Sequence, residues 1–219
     1  MSEIKAIETY YKGYRFRSRL EARWAVFFDA AGIKYEYEPE GFVLEDGIRY
    51  LPDFFLPNIR GGIYVEVKGR MTEYDQHKID LFSKEHPILV LGEIPSEEEA
   101  KYMDFVDDGF KFYRPCTGNG GEKYSWMDFP YLFCVCPACG KIGLEFDGRG
   151  WRVCNHNSGA QYERIMQTHT FVDIDGKVKN IRYPEYIGWR TDDKGYSASF
   201  FQFAYNKARQ ARFEHGECG

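Results

Sequence analysis

Several features that would assign this sequence to a class at once are scarce or missing. Its apolar runs are short, and a stretch such as residues 87–92 is far below the roughly 20 residues that a membrane-spanning helix needs. The first residues lack the apolar segment of a signal peptide. Basic residues are not in excess, since the formal net charge is −5. We therefore expect a cytoplasmic protein without a membrane partner, and the charge argues against sequence-blind wrapping of nucleic acid, which needs many phosphate contacts.

Aromatic residues, in contrast, are abundant, with 17 tyrosines and 18 phenylalanines among 219 residues. A chain of this length can hold one domain of about 150 residues and a small appendage. Its apolar content is sufficient for a buried core, which excludes a wholly disordered protein. Residues 117–122 are rich in glycine and have the composition of a linker, so we predict two parts, residues 1–116 and residues 117–219.

Hydrophobic spacing predicts the order of the helices and strands. Leu20, Trp24, Phe27 and Phe28 recur at helical spacing and predict a helix over residues 18–31, closed by Gly32. Strands are expected at residues 34–44, 48–56, 62–68, 87–91 and 110–113, and further helices at residues 72–84, 96–109 and 196–213. The order α-β-β-β-α-β in the first part predicts an α/β fold in which helices flank a mixed sheet.

Two acidic residues and a lysine fall on neighbouring predicted strands. Glu66 and Lys68 are two residues apart, so their side chains leave the same face of a strand. Asp53 lies one hairpin earlier, and adjacent strands are about 4.8 Å apart, so Asp53 and Glu66 can share one cation. Mg²⁺, or Mn²⁺ in its place, prefers such oxygen ligands. A lysine beside the cation can orient or deprotonate an attacking water, or balance charge in the transition state.

A third acidic residue, Glu21, precedes Trp24, Ala25 and Phe28 at helical spacing and therefore lies on or beside the buried stripe of the first predicted helix. A carboxylate that faces a core needs a partner, and a metal ion on the sheet is one candidate. The ordinary alternative is that these charged residues only solvate the edge of a sheet, because short motifs carry false positives.

The stretches around these positions carry a family resemblance. They are Arg-Ser-Arg-Leu-Glu at residues 17–21, Tyr-Glu-Pro at 37–39, Leu-Pro-Asp-Phe at 51–54 and Val-Glu-Val-Lys-Gly at 65–69. Together they resemble the PD-(D/E)XK nuclease superfamily, in versions from phages and mobile elements that are similar to the end-cleaving subunits of some bacterial transposons. The resemblance implies a restriction-endonuclease-like αβββαβ core and divalent-metal-dependent cleavage of phosphodiester bonds. It implies catalytic roles for Glu21, Asp53, Glu66 and Lys68, and for Gln76 as the further glutamine that some members carry on the next helix.

Basic residues surround the start of the first predicted helix. The predicted DNA-binding residues are Arg15, Arg17, Arg19, Arg23 and Arg70. Helix N-termini favour phosphate groups, and arginine adds bidentate hydrogen bonds. The alternative for such a cluster is a solubilising surface.

Four of the six cysteines lie between residues 134 and 154. Cys136 and Cys139 form a CPxCG turn that presents two thiolates to one tetrahedral Zn²⁺, and Cys154 and His156 supply two further ligands, a spacing that resembles a zinc ribbon. Cys134 competes with His156 for the fourth position. Four protein ligands leave no open coordination position, so the predicted role of the zinc is structural. The competing interpretation of the CxxC pair alone is a redox pair.

These features together predict a metal-dependent DNA endonuclease of phage or mobile-element origin, in a bacterial or phage-infected host cell. Its expected partner is DNA, together with a second copy of the chain or a recombination or replication protein. Two alternatives stay open. One is a catalytically weak or partner-dependent DNA-binding module of the same fold, and the other is an RNA-processing nuclease.

Overall fold

An eight-stranded sheet organises the computed structural model of the chain, which describes residues 8–59, 61–96, 110–135, 142–146, 149–151, 168–172, 178–182 and 198–213. The described strands are β1 (Thr9–Tyr11), β2 (Tyr14–Phe16), β3 (Glu36–Tyr37), β4 (Phe42–Val43), β5 (Arg49–Tyr50), β6 (Phe54–Leu56), β7 (Ile63–Val67), β8 (Ile88–Leu91), β9 (Phe110–Thr117), β10 (Lys123–Val135), β11 (Ile142–Phe146), β12 (Arg149–Trp151), β13 (Thr168–Val172) and β14 (Val178–Arg182). The described helices are α1 (Arg19–Ala31), α2 (Glu73–Phe82) and α3 (Ala198–Gln210).

The large sheet has the strand order β12-β11-β10-β9-β8-β7-β6-β3. Strands β7 and β8 are parallel, and α2 connects them, because parallel neighbours need a crossover. The other neighbouring strands of this sheet are antiparallel. A mixed sheet with helices is therefore confirmed, and with it the predicted α/β class.

The two described helices of the first half begin where local sequence signals predict, and α2 ends two residues before its predicted end at residue 84. The Ser18 hydroxyl accepts the Glu21 N–H and caps α1, and Gly32 ends the helix in the left-handed conformation with φ 72°. At the start of α2, Thr72 and Asp75 form a reciprocal capping box. The caps at Ser18 and Thr72 satisfy N–H groups that have no partner within the helix, whereas the Gly32 N–H donates to a carbonyl group at the end of α1.

Two predicted strands are each divided in the structure. Residues 34–44 form β3 and β4, because Glu38 adopts a positive φ of 46° and Pro39 follows it. Residues 48–56 form β5 and β6, on either side of Pro52. The structure also contains the β1–β2 hairpin, whose turn at Lys12 and Gly13 has positive φ at both residues.

The sheet has a different core on each face. Alternate residues of β7 and β8 divide between them: Val65 and Leu89 belong to the core that α1 and α3 cover, while Tyr64 and Val90 belong to a second core beside α2. The first core is rich in aromatic residues, which include Trp24, Phe27, Phe28, Phe110, Phe112, Phe133, Phe201 and Tyr205. The second core contains Tyr50, Tyr64, Ile79, Phe82, Ile88, Val90 and Tyr113.

The predicted boundary after residue 116 falls near the end of β9, which pairs with β10 across the glycine-rich turn. The division of the chain into two parts stays a prediction. The predicted helix over residues 96–109 lies almost wholly outside the described residues. Within the described ranges, no helix has the length and apolar character needed to cross a bilayer.

Candidate active site

Asp53 lies immediately before β6 and is 4% exposed. Its Oδ2 accepts the backbone N–H of Val67 at 2.7 Å, which fixes the carboxylate against β7. Its Oδ1 lies 2.7 Å from Nη2 of Arg17. Burial and the neighbouring charges of Glu66 and Glu21 raise the pKa of Asp53 well above its ordinary value, and the contacts with Val67 and Arg17 offset them only in part.

Glu66 lies on β7 and is 3% exposed. Its two carboxylate oxygens have different partners. The buried Tyr50 hydroxyl donates to Oε2 at 2.7 Å, and the Lys68 ammonium lies 3.0 Å from Oε1. Burial, followed by the charge of Glu66, raises the pKa of Tyr50, so this phenol stays protonated and remains a donor. The predicted Glu66–Lys68 pair is therefore adjacent in space, as period-two alternation on a strand requires.

Glu21 lies in the first turn of α1 and is 6% exposed. Its Oε1 accepts the Ser18 hydroxyl at 2.7 Å, and its Oε2 accepts the Tyr37 hydroxyl at 2.7 Å and the Arg17 N–H at 3.1 Å. All of these partners come from the cap of α1 or from β3. Glu21 is therefore held at the helix start, facing the protein rather than solvent.

Arg17 connects two acidic residues across this site. Its Nη2 contacts Asp53, and its Nε lies 2.7 Å from Oε1 of Glu38. Glu38 has a positive φ, which is a strained backbone conformation for a residue other than glycine, and its N–H donates to the Asp53 carbonyl at 2.9 Å. Arg17, predicted to bind DNA, thus turns its guanidinium toward the acidic residues.

The first turns of α2 bring two further charged residues beside Lys68. Oδ1 of Asp75 lies 3.5 Å from the Lys68 ammonium and 3.1 Å from the Lys78 ammonium. The Lys78 ammonium also lies 5.8 Å from the centre of the Tyr50 ring. Burial by itself would lower the pKa of Lys68, but the charges of Glu66, Asp53 and Asp75 raise it overall. Lys68 is therefore a cation in this arrangement.

The described hydrogen bonds of Gln76 are with residues outside this set of charges. Its amide nitrogen donates to Oδ1 of Asp80 at 2.8 Å, and its amide oxygen accepts the Tyr113 hydroxyl at 3.1 Å. These bonds tie α2 to β9. The structure does not bring Gln76 into contact with Asp53, Glu66 or Lys68 through any of its described hydrogen bonds.

The remaining predicted DNA-binding arginines differ in their exposure. Arg15 is exposed and pairs with Glu8. Arg70 is exposed, and Arg19 is half-buried. Arg23 is half-buried on α1, and its Nε is a buried atom without a hydrogen-bond partner among the described residues.

The structure describes only some of the predicted metal ligands. Cys136, Cys139, Cys154 and His156 lie outside the described residues, and Cys134 is described only by its backbone in β10. Among the described residues, no three carboxylate, histidine or cysteine groups form a metal-holding cluster in their present positions. In these positions, hydroxyl, N–H, guanidinium or ammonium groups of the protein contact the carboxylate oxygens of Glu21, Asp53 and Glu66.

These residues nevertheless have the chemistry that a divalent cation requires. Glu21, Asp53 and Glu66 are buried carboxylates, and burying several like charges is costly without a compensating cation. The raised pKa of Asp53 reports that cost. Oxygen ligands of this kind suit Mg²⁺ or Mn²⁺.

Sequence reasoning assigned no site role to several residues that surround the acidic groups. They are Tyr37, Glu38, Tyr50, Asp75 and Lys78. Asp75 and Lys78 are three residues apart on a helix, and this spacing places both side chains on one face. Tyr50 has no comparable signal, because its contact with Glu66 depends on how β5 and α2 pack on β7.

Comparison with known proteins places these residues within a known family. The phage endonuclease I family model matches residues 1–111, half of the chain, which include Glu21, Asp53, Glu66 and Lys68. Endodeoxyribonuclease 1 of Enterobacteria phage T3 is 34% identical over 93 residues, 41% of this chain and 59% of that protein. Endonuclease I of Escherichia phage T7 is 36% identical over 89 residues, 39% of this chain and 58% of that protein.

The chain therefore spans less than two thirds of the length of either relative. No solved structure matches it. The predicted cysteine ligands lie beyond the matched region. The family match nonetheless covers half of the sequence and all of the acidic groups of the site, and the chain belongs to the phage endonuclease I family.

Proposed function

We propose that this protein is a metal-dependent endonuclease that hydrolyses phosphodiester bonds in DNA. The observation that carries the proposal is the set of three buried carboxylates, Glu21, Asp53 and Glu66, beside the ammonium of Lys68. Charged groups of this kind are rarely buried unless they are paired or hold a ligand. Their position within the endonuclease family match supports the same function.

Asp53 and Glu66 are the proposed ligands of Mg²⁺ or Mn²⁺, and Glu21 completes the ligand shell or serves a second metal ion. When bound, the metal ion supplies a water of lowered pKa and stabilises negative charge on the leaving oxygen. Arg17 has to release Oδ1 of Asp53 for that oxygen to become a ligand. Its long side chain is about half exposed, and Glu38 offers it a second carboxylate.

Lys68 is proposed to orient the attacking water and to balance charge on the phosphate. Its raised pKa keeps the ammonium protonated near neutral pH in the metal-free protein, which favours these roles over proton abstraction. Tyr50 holds the other oxygen of Glu66, so Glu66 keeps one orientation while Lys68 contacts the substrate. The site therefore has preorganised donors beside its acidic ligands.

We also propose that residues 1–116 form a PD-(D/E)XK nuclease core. The β6–β7 hairpin, with Asp53 before one strand and Glu66 on the other, has the motif arrangement that the sequence resemblance implies. The βαβ unit β7-α2-β8 continues the same order. A fold of this type hosts many substrates, so the substrate is argued from the site and the family match.

The test is cleavage of plasmid DNA, of linear and branched DNA and of structured RNA, each with and without Mg²⁺ or Mn²⁺. Asp53→Ala, Glu66→Ala and Lys68→Ala are expected to remain folded and to lose cleavage. Glu85→Gln is the matched control, because Glu85 also pairs with a lysine, Lys123, but at an exposed position. Cleavage of RNA alone supports the RNA-processing alternative, and binding without cleavage supports the binding module.

A second proposal concerns the cysteine-rich region. We propose that Cys136, Cys139, Cys154 and His156 hold one structural Zn²⁺, because their spacing suits a tetrahedral site. Protein purified without added metal is expected to contain one zinc per chain, and Cys139→Ser is expected to lose it. Zinc retained in His156→Ala but lost in Cys134→Ser assigns the fourth ligand to Cys134. A stable parent protein without zinc contradicts the proposal.

A further inference from the structure

Asp75 serves two structural units at once through its two carboxylate oxygens. Oδ2 accepts the Thr72 hydroxyl at 2.6 Å and the Thr72 N–H at 3.3 Å, which closes the cap of α2. Oδ1 lies between the ammonium groups of Lys68 and Lys78. The cap alone needs only one of these oxygens, so the second is available to the lysines.

We propose that Asp75 is a positioning residue for Lys68, an inference that rests on the proposed nuclease function. Lys68 has a flexible side chain and is partly exposed, and Glu66 alone would hold its ammonium from one side. Asp75 holds the ammonium from a second side. The helix cap fixes Asp75 in turn, so the first turn of α2 orients the lysine of the site.

Lys78 connects this arrangement back to Glu66. Its ammonium pairs with Asp75 and lies over the ring of Tyr50, whose hydroxyl donates to Glu66. The contacts therefore form a closed ring through Glu66, Lys68, Asp75, Lys78 and Tyr50. In such a ring, loss of the Asp75 charge removes one contact from each lysine without removing any group that touches the proposed substrate or metal ion.

Asp75→Asn separates the positioning role from the capping role. A neutral amide at this position still accepts a hydrogen bond in a capping box, where glutamine is as suitable as glutamate. The substitution removes the charge that the two lysines contact. Glu73→Gln is the matched control, because it removes one negative charge from the same helical turn at an exposed position.

The first measurement is the acetylation rate of Lys68 by succinimidyl acetate in metal-free protein, read by mass spectrometry relative to the exposed Lys34. Asp75→Asn is expected to increase the rate several-fold, and Glu73→Gln to leave it unchanged. Asp75→Glu, which keeps the charge and the cap, is expected to restore most of the protection. The second measurement is steady-state cleavage of DNA with Mg²⁺ below the melting temperature.

In that assay Asp75→Asn is expected to lower kcat about tenfold with KM unchanged, as is common for residues that orient a catalytic group. Equal acetylation of Lys68 in the parent and in Asp75→Asn overturns the inference, and so does an unchanged kcat. If the parent itself fails to cleave DNA, the proposed function is wrong. The acetylation rates then still decide whether Asp75 holds Lys68.

Discussion

The two faces of the sheet differ in the side chains that the same strands contribute to them. On the face covered by α1 and α3, β7 contributes Val65 and Val67 to an aromatic core. On the opposite face, the same strand contributes Tyr64 to a smaller core and Glu66 to the candidate site. The first face holds mainly apolar side chains, whereas Glu66 on the second face is a buried charge that contacts both Tyr50 and Lys68.

Alternate residues of one strand therefore have different roles. Those on one face contribute mainly to stability, and those on the other contribute to the candidate site. Packing of apolar groups on the first face provides free energy of folding, since each buried methylene contributes roughly 0.8 kcal/mol. Burial of Glu21, Asp53 and Glu66 costs free energy, which the first face has to offset. Substitutions on the two faces should therefore separate cleavage from stability.

The largest expected effect is on cleavage, from a change on the charged face. Glu66→Gln keeps the size of the side chain and a hydrogen bond to Tyr50 but removes a proposed metal ligand. Cleavage should fall about a thousandfold, corresponding to roughly 4 kcal/mol of transition-state stabilisation. Without metal, the melting temperature should be unchanged or higher, because a buried charge is removed.

The neighbouring residue Val65 is the control for that prediction. Val65→Ala should lower the free energy of unfolding by about 2 kcal/mol through lost packing. At temperatures well below melting, its kcat should equal that of the parent. Equal losses of cleavage in Glu66→Gln and Val65→Ala would mean that the two faces are not functionally distinct.

The next effect concerns the apolar face alone. Phe27 is fully buried, stacks on Tyr205 with ring centres 4.6 Å apart, and also contacts Trp24 and Phe133. Phe27→Ala should lower the free energy of unfolding by about 3–5 kcal/mol, measured by urea denaturation. Tyr10→Ala, at a residue that is 66% exposed, should change it by only about 0.5 kcal/mol. Similar values for both variants would contradict the packing described for α1 and α3.

Sequence reasoning predicted the apolar face and its helices better than the charged face. The bounds of α1 follow from the hydrophobic spacing of Trp24 and Phe28 and from the caps at Ser18 and Gly32, all of which are local. Period-two alternation correctly placed Glu66 and Lys68 side by side. Local signals of this kind survive in the folded chain because tertiary packing reinforces them.

The parts that sequence reasoning missed depend on contacts between distant segments. The sequence predicts that Arg17 binds phosphate, but it does not predict that Arg17 also bridges Asp53 and Glu38, which are 36 and 21 positions away. The division of residues 34–44 depends on the positive φ of Glu38, which no residue-type preference predicts. The sequence therefore does not predict which groups contact the buried charged residues.

Two aspartates of the charged face should respond to pH in opposite directions. The folded-state pKa of Asp53 is raised, so the folded protein binds this proton more tightly than the unfolded chain does. The protonated carboxyl group of Asp53 contributes fully to stability below about pH 4, which is the pKa of aspartate in an unfolded chain. This contribution is lost as pH rises through the pKa of Asp53 in the folded protein. Burial by itself would raise the pKa of Asp75, but other contacts, mainly the hydrogen bond with Thr72, lower it to about 2.

The ionised form of Asp75 therefore stabilises the fold, and this contribution is lost as pH falls from about 4 toward about 2. The measurement is the free energy of unfolding against pH in a metal chelator. Relative to the parent, the free energy of unfolding of Asp53→Asn should increase as pH rises above about 4. Asp75→Asn should be less stable than the parent above about pH 4, and this difference should disappear as pH falls below about 4. Parallel curves for the parent and both variants would contradict these assignments.

The smallest effect is expected at Glu21, where the structural and the catalytic roles overlap. Glu21 accepts hydrogen bonds from Ser18, Tyr37 and the Arg17 backbone, so part of its role is to complete the start of α1. Glutamine can keep most of those bonds, and a role limited to the cap predicts a change of less than about 0.5 kcal/mol. A role in the metal shell requires the negative charge.

Glu21→Gln should accordingly reduce cleavage about tenfold, with partial recovery in Mn²⁺. Added Mg²⁺ should raise the melting temperature of the variant less than that of the parent, because weaker binding to the folded state gives less stabilisation. Glu73→Gln, in the first turn of α2, is the control for removing a helix-start charge. Parent-like cleavage together with a parent-like response to Mg²⁺ would limit Glu21 to capping, and the site would then consist of Asp53, Glu66 and Lys68.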